Sequence, residues 1–319
     1  MNRLKFIFIF LFICGVSYGE ELVKIKDLSG YWKFSIGDDL AKKEPNFPDQ
    51  NWDQVTARDS WENQGYNGYD GFAWYRTSFP TSIIPKDKKV YLQLGFIDDA
   101  DEVYLNGKLI GYSGKFPPHP KTAYRAFRKY VVPTNYLKPN GENVIAVRVY
   151  DMVYSGGFTG GDVGLYYDKN ARKLALDLEG LWKFKRGNNN AWKFPDYNDI
   201  NWEPMLAPMF WDFQGLKNYN GTGFYRKTVF ISKELGSNKL YLYLGKIDDF
   251  DEVYFNGVLI GSTNDREPFG RSNSYLQLRK YFIPPQLIKE DDYNTIAIKV
   301  IDIGFNGGIY EGPLGIDPH

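Results

Sequence analysis

The chain has 319 residues but only one cysteine and two histidines. Cys14 lies in the apolar segment near the start, so everything after it is free of thiols. Disulfides, thiolate metal sites and cysteine nucleophiles are excluded from that part of the chain. His319 is the last residue, and His119 sits in Pro117-Pro118-His119-Pro120, so a Ser-His-Asp triad would rest on His119 alone. The nearest serine, Ser113, lacks the glycine two positions later that a nucleophile elbow needs. Zinc sites built on histidine fail for the same reason. An excess of one charge is also missing, because 39 basic residues balance 39 acidic ones. With no basic field to gather phosphates, nucleic acid is not an expected partner. No segment carries a sustained i, i+3, i+4, i+7 apolar stripe with caps, and no phosphate-binding glycine loop precedes a helix.

Long apolar runs are scarce as well. One stands out, Phe6 to Val16, after Arg3 and Lys5 and before the small residues of Ser17-Tyr18-Gly19. That layout is a secretory signal peptide over residues 1–19, and it predicts a secreted or periplasmic protein. The run is shorter than the roughly 20 apolar residues of a membrane span, so the chain is not expected to be transmembrane. Leu11-Phe12-Ile13-Cys14 loosely follows a lipobox. Ile13 stands where such boxes want a small residue, so anchoring through Cys14 is the weaker alternative.

What the sequence has in abundance is repetition. Ile97–Gly111 (IDDADEVYLNGKLIG) and Ile247–Gly261 (IDDFDEVYFNGVLIG) agree at twelve of fifteen positions. Trp32/Trp182, Trp52/Trp202, Trp61/Trp211, Gln64/Gln214 and Tyr75/Tyr225 keep the same spacing of 150, and Arg128/Arg279, Asp151/Asp302 and Gly157/Gly308 follow at 151. Solenoid repeats run to about 20–50 residues, so this period is that of a whole domain. The expected division is residues 20–170 and 171–319, joined near the polar stretch Tyr167–Lys173.

Within each copy the pattern is that of strands. Val90–Gly95, Val144–Val149, Leu240–Gly245 and Thr295–Val300 are short β-branched or alternating runs bounded by turn residues. Asn106-Gly107 and Asn256-Gly257, each between two apolar runs, are strong hairpin signals. The expected fold is all-β, with two tandem β-sandwiches of jelly-roll type.

Two segments carry candidate chemistry. The acidic cluster Asp98, Asp99, Asp101 and Glu102, with Asp248, Asp249, Asp251 and Glu252, has the carboxylates a glycosidase uses or the oxygen ligands of a structural calcium ion. It also suits a strand entrance, where aspartates cap backbone N–H groups and one pairs with Arg76 or Arg226. Asp98 and Asp99 are expected to point to opposite sides of an extended strand. The second segment, Trp61–Arg76, sets aromatics among glycines, which suits a sugar stacking on a ring while its hydroxyls meet amides and carboxylates. Trp61 and Tyr75 read as core, whereas Tyr66, Tyr69 and Trp74 read as exposed. The candidate sugar-binding set is Asn67, Tyr69, Trp74, Arg76 and Asp99 in the first copy. In the second it is Asn218, Tyr219, Phe224, Arg226 and Asp249. No catalytic residue and no required cofactor are assigned.

Gly30–Phe34 (GYWKF), Trp61–Tyr66 (WENQGY), Trp74-Tyr75-Arg76, Asp101–Gly111 and Gly141–Val149 occur in an order that resembles a known module. It is the galactose-binding-like jelly roll at the N-terminus of family 2 glycoside hydrolases such as β-galactosidases; sialate O-acetylesterases carry a similar one. The resemblance implies a sugar-binding fold and a glycan as partner. In those enzymes the paired glutamates lie on a separate (β/α)₈ barrel of roughly 250 residues, which two jelly rolls leave no room for here. The loops Ser155–Asp162 and Asn306–Pro313 are mostly glycine where β-galactosidases carry an acidic, aromatic stretch. The sequence therefore favours a non-catalytic carbohydrate-binding protein. The alternatives are a glycosidase or an accessory subunit to a partner glycosidase, and a structural cell-surface module.

Overall fold

The structure, a computed structural model, describes residues 21–264 and 273–318. The segment 1–19 expected to be a signal peptide, with Cys14, and His319 lie outside the described residues. The first half supplies ten strands: β1 (Leu22–Asp27), β2 (Tyr31–Ile36), β3 (Asp53–Thr56), β4 (Gly71–Pro80), β5 (Val90–Asp98), β6 (Ala100–Leu105), β7 (Lys108–Ser113), β8 (Arg128–Val131), β9 (Glu142–Asp151) and β10 (Gly157–Asp168). They form a four-stranded sheet, β1-β10-β5-β8, and a six-stranded sheet, β3-β2-β4-β9-β6-β7.

The second half supplies β11 (Leu176–Asp177), β12 (Gly180–Arg186), β13 (Glu203–Ala207), β14 (Gly221–Ile231), β15 (Leu240–Asp248), β16 (Phe250–Phe255), β17 (Val258–Thr263), β18 (Leu278–Ile283), β19 (Asp292–Asp302) and β20 (Gly308–Asp317). The sheets β11-β20-β15-β18 and β13-β12-β14-β19-β16-β17 repeat the strand order of the first half. The fold is all-β, two sandwiches in one chain. The one α-helix among the described residues is a single turn at Lys233–Gly236, and no described helix is long and apolar enough to cross a membrane.

Alternation explains the strands. Along β9, Ile145, Val147 and Val149 enter the core between the sheets, while Ala146 packs on the opposite face under Trp74. In β5 the inward set is Val90, Leu92 and Leu94, then Ile97. The step of three comes from a bulge at Gly95, whose φ is +61°, and Gly245 (φ +57°) repeats it in β15. The hairpins form as expected. Asn106 and Gly107 have φ of 50° and 81°, Asn256 and Gly257 of 49° and 84°, the left-handed pair of a type I′ turn.

The outer face of each six-stranded sheet is covered. Residues 39–52 fold over β4 so that Trp52, Trp74 and Tyr104 pack together, and Trp192, Trp202 and Phe224 do the same in the second half. Both halves also touch directly: the Gly114 N–H donates to the Phe213 carbonyl at 2.7 Å, the Tyr112 hydroxyl donates to the Pro204 carbonyl at 2.6 Å, and Lys89 pairs with Asp177 and Glu179, each at 2.8 Å.

Candidate functional site

The covered outer faces remove four expected residues from any surface. Trp74 is fully buried, and Phe224 is 2% exposed. Arg76 is buried beside them, its Nε 2.8 Å from Asp49, with its other nitrogens donating to the carbonyls of Lys42, Glu44 and Pro45. Arg226 repeats the arrangement with Asp199 at 2.8 Å. These arginines fasten the covering segments to the sheet rather than meeting the acidic cluster. Tyr69 and Tyr219 are half-buried against Trp61 and Trp211, and their hydroxyls donate to the carbonyls of Phe72 and Thr222 at 2.7 and 2.9 Å. Tyr66 is likewise half-buried, its hydroxyl bonded to Asp53. Asn67 and Asn218 are exposed.

The arginine that meets the acidic cluster is Arg128. On β8 in one sheet, it places Nε 2.7 Å from Asp101 on β6 in the other, and both side chains are fully buried. Its remaining nitrogens donate to the carbonyls of Ala123, Ala126 and Asp99, and the Tyr130 hydroxyl takes up the second Asp101 oxygen at 2.8 Å. Arg279, Asp251 and Tyr281 build the same staple in the second half. Glu102 accepts from Tyr104 and pairs with Arg148. Asp101, Asp251 and Glu102 are thus engaged, leaving Asp98, Asp99 and their copies.

Asp98 and Asp99 do not diverge. The peptide between them is cis, and the two carboxyl groups interact directly. Asp99 is 7% exposed and accepts the Met152 N–H at 2.9 Å, and Asp249 accepts the Ile303 N–H at the same distance. Behind them lies Asp151, fully buried with no well-formed hydrogen bond to either oxygen; in Asp302 only Oδ2 lacks one. Burial, with the Asp99 carboxyl beside them, pushes Asp98 and Asp151 up to about 7. Burial and Asp249 raise Asp248 to about 7, and burial raises Asp302 to about 6. Among the described residues no three acidic, His or Cys side chains are arranged to hold a metal ion.

The loop 61–70 reaches the same end. Glu62 accepts the Gly156 N–H, and the Glu62 and Asp70 carboxylates add to the field on Asp151. Between Asp151 and Gly156 the chain lifts Tyr154 into solvent, 88% exposed with a φ of +75°; Phe305 is 94% exposed with a φ of +71°. A bulky side chain at positive φ costs of order 1–3 kcal/mol and persists where the surroundings impose it. Asp151-Met-Val-Tyr and Asp302-Ile-Gly-Phe are legible in the sequence as a matched aspartate followed by an aromatic before Gly-Gly. His119 is exposed and Ser113 is buried against Tyr130, so no triad forms.

The raised acids give a testable pH dependence. A carboxyl raised in the folded state binds its proton more tightly there, so its contribution is complete below pH 4 and is lost as pH rises towards 7. Asp49 and Asp199, held low by Lys33, Arg76, Lys183 and Arg226 against burial, act in the opposite sense but at more acidic pH. Stability should therefore fall between about pH 4 and 7. Asp151→Asn should raise the melting temperature at pH 8 and leave it nearly unchanged at pH 4, and a scanning calorimetry series that shows equal shifts at both pH values refutes the assignment.

The first sandwich resembles a β-domain of family 2 glycosidases. Residues 37–155 match the family described as β-galactosidase second all-beta domain. A putative β-glucuronidase of Formosa agariphila is 28% identical over 150 residues, which are 43% of this chain and 14% of that protein. The β-galactosidase BoGH2A of Bacteroides ovatus is 26% identical over 150 residues, 42% of this chain and 17% of that protein. A solved Bacteroides uniformis β-glucuronidase 2, covalently bound to cyclophellitol-6-carboxylate aziridine, shares 16% identity. It covers 92% of this chain and 28% of its own, with a TM-score of 0.37. The chain thus spans less than a fifth of these curated relatives.

Proposed function

We propose that this is an exported, non-catalytic carbohydrate-binding protein whose two halves, residues 20–170 and 171–319, are copies of one sugar-binding module. The observation that carries the reading is an exposed aromatic held at positive φ three residues after a buried, under-bonded aspartate, repeated in both sandwiches. An aromatic tip offers a face for the apolar side of a pyranose, and half-buried Asp98 and Asp248 exchange hydrogen bonds with its hydroxyls. Tyr154 and Asp98 replace Trp74 and Arg76 as the contacts of the first site, with Phe305 and Asp248 in the second; Asp99, Asp249, Asn67 and Asn218 support them from the same loops. Export rests on the leader at residues 1–19. The glycosidase relatives favour a second reading, in which the chain is an accessory piece of a partner glycosidase.

Calorimetric titration with galactoside and glucuronide oligosaccharides tests the first reading. Tyr154→Gly and Phe305→Gly should each weaken binding about tenfold or more, on a stacking contribution of order 1–2 kcal/mol. Each should also stabilise the fold by about 1 kcal/mol, because glycine relieves the positive φ. A pure protein that binds none of these sugars overturns the proposal. Hydrolysis of nitrophenyl glycosides by the pure protein overturns its non-catalytic part.

A further inference from the structure

Away from the aromatic tips, the two sandwiches enclose a cleft of about 830 Å³ between them, walled by the start of β5, the β8 end, the connecting residues 171–174 and β14. Its size falls in the range of small-molecule sites, which favour junctions between domains. Six basic side chains and four acidic ones line it, in a chain whose total charge is zero. Two of those acids, Asp177 and Glu179, are both engaged by Lys89, and Asp168 accepts the amides of Glu21 and Asn170. Lys86, Lys88 and Lys173 stand exposed at the rim with no ion pair among the described residues. Lys227 lies deeper in the wall. Its ammonium donates to the carbonyls of Leu178 and Leu181, both at 3.0 Å, and stands 5.1 Å from the centre of the Trp182 ring, with no carboxylate in ion-pair contact among the described residues. Val90, Leu109, Ile110 and Leu181 give the cleft an apolar side.

An ammonium in a part-buried wall with no carboxylate paired to it, and three lysines at the mouth that make no ion pair, favour a negatively charged ligand. We infer that the cleft binds an acidic saccharide, its carboxylate or sulfate taken by Lys227 and its neighbouring units by the rim lysines. Burial lowers Lys227 to about 8; Asp177 and Glu179 oppose that shift and Lys89 adds to it. The amine is charged at pH 7 and loses its proton as pH rises to 9, so affinity should fall over that interval.

Full-length mature protein is titrated with an oligogalacturonate, a sulfated oligosaccharide and a neutral galactan of equal length. Binding of either acidic probe, absent for the neutral one at this site, supports the inference, and comparison of the two tells carboxylate from sulfate recognition. Lys227→Met should weaken the acidic probe about tenfold or more and remove the loss between pH 7 and 9. Should Lys227→Met fail to fold, Lys86→Ala/Lys88→Ala/Lys173→Ala carries the test, with weaker binding and a shallower salt dependence expected. Equal binding of acidic and neutral probes by Tyr154→Gly/Phe305→Gly protein, or acidic binding unchanged in both lysine variants, overturns the inference. Tyr154→Gly/Phe305→Gly protein should keep the acidic site, which separates its failure from that of the aromatic tips.

Discussion

Replacing Arg128 by methionine should lower the unfolding free energy of the first sandwich by about 3–5 kcal/mol, the cost of leaving a buried charge without its partner. The guanidinium and the Asp101 carboxylate are both fully buried, and they join the two sheets of the sandwich. Methionine fills the aliphatic volume but abandons Asp101 and the carbonyls of Ala123, Ala126 and Asp99. A domain of this size has about 5–15 kcal/mol in all, so the variant sits near its threshold at room temperature. Arg279→Met should act on the second sandwich alone. Denaturant unfolding followed by fluorescence therefore resolves two transitions, one displaced in each variant. A loss below 1 kcal/mol in either would show that the staple is not holding the sheets. The pair Arg128→Met/Asp101→Leu should recover much of the loss, because removing both charges leaves neither one unpaired.

The second large effect belongs to the bulge glycines. Gly245→Ala should destabilise by roughly 3 kcal/mol or more, from two sources that add. An L-residue at φ +57° costs about 1–2 kcal/mol. The new methyl group would also drive into the Glu311 carbonyl across the sheet, inside any van der Waals contact, and β15 and β20 would have to separate. Gly95→Ala meets the Gly160 carbonyl in the same way. Gly180→Ala is the control, since its φ is +105° and nothing lies within 4 Å of the added methyl. That variant should show the backbone cost alone. If the three alanine variants melt together, the close approach of the paired strands is not what requires glycine at the bulge.

How much of this was legible follows from what each signal reports. Asn-Gly at 106–107 and 256–257 names a turn by its own chemistry, so the hairpins and the all-β fold were readable from the chain. Along β4, Trp74 and Tyr75 face opposite sides of the sheet, and the turn-like residues around Trp74 suggested an exposed ring. They could not reveal that residues 39–52 cover that face, because burial by a distant segment leaves no local trace. Arg76 and Arg128 are equally plausible partners for an aspartate in one dimension; only the pairing of sheets decides that Asp101 takes Arg128 and Asp49 takes Arg76. Tyr154 and Phe305 were hidden by their neighbours. Nothing in Val153-Tyr154-Ser155 marks a positive φ, which tyrosine and phenylalanine rarely adopt.

The two hairpin turns also govern how the protein ages. Asn-Gly is the dipeptide most prone to deamidation, which requires the glycine nitrogen to reach the asparagine side-chain carbonyl carbon. The Asn106 amide is held at 2.8–2.9 Å by the Tyr136 carbonyl, Asn143 and the Val144 N–H, and Asn256 is held alike by Leu287, Asn294 and Thr295. Locked in this way, neither side chain can swing into the cyclic imide while the hairpin is intact. Molecules that open locally lose that protection, so a slow gain of one mass unit at residues 106 and 256 becomes a clock that counts openings of each sandwich during storage.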